Sequence, residues 1–194
     1  MKNTRTRKWV MTALLAAIIV VLQTVAAGIK IGPFTPTLSL IPIIVGAILV
    51  GPLAGCVLGL VFGTIVFINV LAGAEPLSTM MFAYSPVMTG VACIGRGAIA
   101  GLVPGLLYKA LKDRNETVAT VVAAMSAPIT NTGIFSLLFV TVFLPVAKQF
   151  TEITGFESVG KLLFVGIIGT NFLFELVLNT VLAPVVQKIV KIRQ

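Results

Sequence analysis

Arg96, Asn131, Asn171, Glu175 and Asn179 all stand inside otherwise apolar runs of this chain. A guanidinium can grip a carboxylate or phosphate with two parallel hydrogen bonds, and carboxamides pair hydroxyl and amide groups. Asn171, Glu175 and Asn179 follow an i, i+4, i+8 spacing, which places them on one face of a helix. Two arrangements follow from these residue types. In one, Arg96 and Glu175 form a buried ion pair that sets helix register while the asparagines bridge helices. In the other, they line a pocket in which Arg96 holds an anionic group and the amides bind its neighbouring polar atoms. The roles overlap, since Glu175 can hold Arg96 in place while such a pocket is empty. Asn69 and Tyr84 stand where they can add contacts from a rim, and Lys30 either draws anions towards the mouth or is simply solvated.

The elements that carry these residues are set by composition. Of 194 residues, 58% are hydrophobic and 10% charged, too few polar groups to cover a water-soluble globule of this size. The chain therefore reads as an all-α integral membrane protein. At about 20 apolar residues per crossing, its length accommodates about six transmembrane helices and no separate soluble domain. The expected spans cover residues 9–28, 38–50, 55–71, 87–107, 118–144 and 160–186 of a single membrane-embedded domain. The N-terminal apolar run is longer than the core of a signal peptide and is followed by further spans, so it reads as a retained first helix.

The formal net charge of +8 does not point to nucleic acid, because the basic residues cluster beside span ends. Lys2, Arg5, Arg7, Lys8, Lys109, Lys112, Arg114, Lys188, Lys191 and Arg193 fall on one side, against Lys30, Lys148 and Lys161 on the other. The positive-inside rule then puts both termini in the cytoplasm of a multi-pass plasma-membrane protein. The segments KIGPFTP (30–36), AGAEPLSTMMFAYSP (72–86) and 145–158 are expected as external loops, the second placed to cover a pocket. Gly51-Pro52 makes a tight turn into span three, where Gly55, Gly59 and Gly63 form a stripe that admits a close helix neighbour. Arg96 lies about ten residues into span four, about 15 Å from its outer end at 1.5 Å per residue. A cation at that depth costs at least about 2.5 kcal/mol unless it finds a partner or a ligand.

Several chemistries lack their residues. There is no histidine, Cys56 and Cys93 have no ligand-like spacing, and no phosphate-binding Gly-x-x-x-x-Gly-Lys-Ser/Thr loop or Gly-x-Ser-x-Gly elbow occurs. No metal, cofactor or catalytic residue is expected, and a binder or transporter fits better than an enzyme. A single polar layer in six spans is little for an ion-coupled carrier built from inverted repeats, which points to an outside source of energy.

The order of several patterns carries a resemblance. A basic N-terminus leads into a helix with Ala13 and Ala17 four residues apart; then come GPFTPTLSLIPIIVGAILVGPLAG, the glycine-rich GCVLGLVFG, and SPVMTGVACIGRGAIAGLVPGLLY with Arg96. Over nearly its whole length the chain resembles the substrate-binding S components of energy-coupling-factor (ECF) vitamin transporters. That resemblance implies a six-helix bundle that captures a vitamin under its outer loops. It also implies a membrane scaffold subunit and two cytoplasmic ATPases as partners, with Ala13 and Ala17 packing on the scaffold and transport by toppling of the S component. Within the family the chain looks most like the pantothenate type, through Arg96 and PITNTGIF (128–135). A pantothenate carboxylate would meet Arg96, and its hydroxyl and amide groups would meet Asn131, Thr130 and Asn171. Other readings stay open: an S component for biotin, folate, pyridoxine or a thiamine precursor, or a membrane scaffold protein that binds no small molecule.

Overall fold

A computed structural model describes residues 4–26 and 37–193, without the side chains of residues 4, 167, 170, 171 and 190–193. Lys30 and the 30–36 segment lie outside the described residues. Among the described residues the fold is helical throughout, with no strand.

Helix α1 spans Thr4–Ala26, α2 Leu40–Leu49 and α3 Pro52–Leu71. The turn between α2 and α3 depends on Gly51, whose φ of 130° is open to glycine but strained for other residues, and on Pro52, which starts α3 where no intrahelical N–H donor is needed. Helix α5 runs over Pro86–Leu111, and its turns at Val91–Gly95 widen to π-helical geometry immediately before Arg96. Helix α6, Glu116–Thr141, is started by Asn115, whose side chain accepts a hydrogen bond from Val118 N–H (3.1 Å). The last helix, α8, covers residues 159–193, π-helical over Leu162–Phe172. Four helices, Arg5–Val25, Pro52–Leu71, Pro86–Leu111 and Glu116–Thr141, are long and apolar enough to cross a bilayer, and Leu40–Leu49 is a shorter apolar helix.

Two segments expected as loops are helical. Pro76–Tyr84 forms α4 and Leu144–Thr154 forms α7, each with a proline in its first turn, a position that proline's fixed φ favours. α4, at nine residues, is too short for a helical period to stand out in its sequence. α7 is amphipathic: Val146, Ala147, Phe150 and Thr151 face inwards, and Gly155 ends the helix in the left-handed conformation.

The glycine stripe packs inside the molecule. Gly55, Gly59 and Gly63 of α3 lie against the backbone carbonyls of Gly101, Gly97 and Cys93, so a Cβ on any of them would overlap α5 main chain. Gly97, Gly101 and Gly105 answer from α5, facing Gly59, Gly55 and Pro52. In lipid the hydrophobic effect gives helices little reason to associate, and this backbone-to-backbone approach supplies dispersion contacts instead.

Two apolar clusters fill the rest. One gathers Leu15, Ile19, Leu40, Ile43, Ile44, Leu58 and Phe62 with Ala119, Ala123 and Ala127. The other joins α4, α6, α7 and α8 through Leu77, Met81, Phe139, Phe143, Phe150 and Leu162.

Candidate substrate-binding site

A cavity of about 100 Å³ opens where the two clusters meet: Phe62 of the first and Leu77, Met81 and Ala92 of the second all line it. The volume is several times the ~10–15 Å³ that one water molecule requires, so the space suits a small organic ligand's polar end or several waters. Polar lining comes from five helices and the segment before α2. Gln23 projects from α1, Thr37 from the residues before α2, Asn69 from α3, Glu75 and Ser78 from the start of α4, Thr89 and Arg96 from α5, and Asn131 and Thr132 from α6.

Arg96 is half-buried, with its guanidinium carbon 5.1 Å from the centre of the Phe135 ring. Among the described residues it has no hydrogen-bond or ion-pair partner, and its Nε is buried without one. A cation over an aromatic face gains about 0.5–2 kcal/mol, less than the several charge-assisted hydrogen bonds a guanidinium can make. The ring therefore holds the side chain in place without using its donors. Asn131 is 3% exposed, and its Oδ1 likewise meets no donor. Arg96 and Asn131 thus both line the cavity, and each keeps one buried polar atom, Nε and Oδ1, without a hydrogen-bond partner.

The buried ion pair between Arg96 and Glu175 does not form: no salt bridge joins them among the described residues. Glu175 is fully buried, and its Oε1 accepts a hydrogen bond from Thr37 N–H (3.3 Å), which ties the segment before α2 to α8. Arg96 and Asn131 are its further polar neighbours, but its Oε2 has no hydrogen-bond partner. Glu175 stands behind the cavity wall. One turn further along α8, Asn179 donates its side-chain N–H to the Glu175 carbonyl (2.7 Å) and is also buried away from the cavity.

The remaining expected residues divide. Asn69 lines the cavity; Thr130, beside Asn131, does not. Tyr84 is exposed and packs edge-on against Phe143, with ring centres 6.2 Å apart, away from the cavity. The Asn171 side chain lies outside the described residues. Ala13 and Ala17 are exposed on α1. Gln23, Thr37, Glu75, Ser78, Thr89, Thr132 and Phe135 join the lining without having been singled out by sequence. For two of them a signal existed: Gln23 interrupts an apolar span, and Phe135 follows Asn131 by four residues and so shares its face. Gln23 is further held by Ser39, whose hydroxyl donates to Gln23 Oε1 (3.0 Å).

The family model for the substrate-specific component of ECF transporters matches residues 7–187. The chain belongs to that family. It is also 30% identical over 198 residues to the pantothenic acid transporter PanT of Lactococcus lactis subsp. cremoris (strain MG1363), an alignment covering 96% of this chain and 94% of the relative. An ECF substrate-specific component is a membrane transport protein, and the apolar helices of this chain accord with that role.

Proposed function

We propose that the protein is the pantothenate-binding S component of an ATP-driven ECF importer in the plasma membrane. The observation that carries this reading is the Arg96 guanidinium, without a hydrogen-bond or ion-pair partner among the described residues, on a cavity that Asn131, with its unsatisfied carbonyl, also lines. Pantothenate has a carboxylate for the first and an amide N–H for the second. Asn69, Thr89 and Thr132 supply further polar contacts, and the apolar wall from Phe62, Leu77 and Met81 accepts the ligand's methyl groups. Such a mixture of apolar wall and few convergent polar groups is what small-molecule sites share. The pantothenic acid transporter that this chain matches along almost its whole length supports the same choice of vitamin.

In this reading the whole chain is one membrane-embedded domain of six spans with both termini in the cytoplasm. α2 and α8 supply the crossings beyond the four long apolar helices, and α4 and α7 cover the site on the outer side. α2 is short for a span, a geometry tolerable where protein surrounds the backbone, and eight of its ten residues are buried. A scaffold subunit and two cytoplasmic ATPases supply the energy. The exposed Ala13 and Ala17 face of α1 is the surface for the scaffold, since small side chains allow a second helix close approach in lipid.

The test is the thermal stability of the detergent-purified protein against a panel of vitamins. A ligand at 100 times its dissociation constant stabilises the native state by about 2.7 kcal/mol. A shift with pantothenate alone supports the reading. A shift with biotin or a thiamine precursor reassigns the vitamin, and no shift with any of them favours a scaffold role.

A further inference from the structure

The cavity holds a second charge that binding of an anion does not call for. Glu75, at the junction of α3 and α4, lines the same space as Arg96. Its Oε2 accepts a hydrogen bond from the Ser78 hydroxyl (2.9 Å), while its Oε1 takes none among the described residues. The two charges do not pair with each other, and the Cys93 thiol lies within electrostatic reach of both.

Their separation can be read from the glycine seam. Gly63 meets the carbonyl of Cys93 and Gly59 that of Gly97, so the backbone of Arg96 stands level with the stretch of α3 between Gly59 and Gly63. Glu75 lies beyond the end of α3 at Leu71. Eight to twelve helical residues separate the Arg96 level from the end of α3 at Leu71, about 12–18 Å at 1.5 Å per residue, and Glu75 follows four residues later; the arginine side chain's reach shortens the gap. Asn69 and Val70 line the wall in between. Arg96 and Glu75 therefore border the cavity at different levels along α3, a cation towards one end and an anion towards the other.

We propose that Glu75 is a specificity-determining residue that accepts hydrogen bonds from the hydroxyl end of the ligand and excludes ligands carrying a second anionic group there. The proposal rests on the pantothenate reading above. Pantothenate has its carboxylate at one end and two hydroxyls towards the other, so only one orientation satisfies both charges: carboxylate on Arg96, hydroxyls on Glu75. Reversal would bring two carboxylates together and leave Arg96 with neutral hydroxyls. A phosphate ester of the terminal hydroxyl removes one donor and places a dianion beside the Glu75 carboxylate. The same residue thus admits the free vitamin and rejects its phosphorylated form. Ser78 fixes the rotamer by occupying Oε2, leaving Oε1 for the ligand.

The experiment is calorimetric titration of the purified wild type and Glu75→Gln with three probes: pantothenate, 4′-phosphopantothenate and an analogue lacking both hydroxyls. A hydrogen bond to a charged group implies that Glu75→Gln weakens pantothenate by about ten-fold or more. It leaves the dideoxy analogue within about two-fold and improves 4′-phosphopantothenate, because the amide keeps the shape and removes the like charge. The narrowing of the pantothenate to phosphopantothenate ratio is a readout that a merely structural role would not move. Equal weakening of all three probes, or no change in any, overturns the role of Glu75 while leaving the pantothenate site standing. Absence of pantothenate binding by the wild type overturns both.

Discussion

Helix α3 takes part in two regions made in opposite ways. Along Gly55, Gly59 and Gly63 it lies against α5 main chain with no side chain between, and nothing there asks for a partner from outside. At Phe62, Val66 and Asn69 the same helix borders a cavity lined also by Arg96 and Asn131, each with a polar atom that the described protein does not satisfy. Buried polar groups are almost always hydrogen-bonded, and the exceptions mark places where strain, water or a ligand belongs. The seam is complete in itself and serves to hold Arg96 at a set depth. The cavity is incomplete, and its unsatisfied groups describe the ligand.

Substitutions can break or sharpen this contrast. The largest loss is expected from Gly59→Val: its Cβ would overlap the Gly97 carbonyl, and neither backbone can yield without separating the helices. Destabilisation of about 3 kcal/mol, at the upper end for overpacking, should appear as a fall in detergent melting temperature or as aggregation. Behind the cavity, Glu175→Ala removes the acceptor of the buried Thr37 N–H and should cost about 1–3 kcal/mol in the same assay. Glu175→Gln keeps an acceptor and should recover most of that loss. Gly133→Ala is the control for the seam, because its Cβ meets nothing and alanine favours the helix; a gain of up to about 1 kcal/mol is expected. Smallest of all is Tyr84→Phe, which should leave stability within about 0.5 kcal/mol and pantothenate binding unchanged, since the ring packs on Phe143 outside the cavity. A large binding loss in Tyr84→Phe would show that the site extends past the described cavity.

Much of this was legible because lipid leaves polar residues few excuses. Arg96, Asn131 and Glu175 stood out from apolar runs, and the four-residue glycine spacing pointed to the seam. Residue type and depth alone leave two arrangements open, an Arg96–Glu175 ion pair and a ligand pocket, and no salt bridge joins the two among the described residues. In the structure Phe135 supports the guanidinium from α6 and Thr37 N–H reaches Glu175 Oε1 from before α2, contacts between residues distant in sequence. The apolar lining was hidden for a different reason. Leu77 and Met81 belong to a nine-residue helix whose sequence, with a proline and an acid at its start, reads as a loop. In a membrane protein an apolar side chain on a cavity looks no different, in sequence, from one facing lipid. Nor does any local pattern announce the π-helical turns before Arg96, although such turns are frequent at functional sites.

The measurement closest to the central claim is a calorimetric titration of pantothenate into purified wild type and Arg96→Ala, with circular dichroism and melting temperature taken on the same preparations. Arg96 has no hydrogen-bond or ion-pair partner to lose among the described residues, so the variant should fold, at a cost of no more than the ~0.5–2 kcal/mol of its contact with Phe135. Its affinity should fall by about thirty-fold or more, the loss typical of removing one member of a desolvated charge pair. Arg96→Ala that unfolds, or that binds pantothenate as the wild type does, would contradict the account.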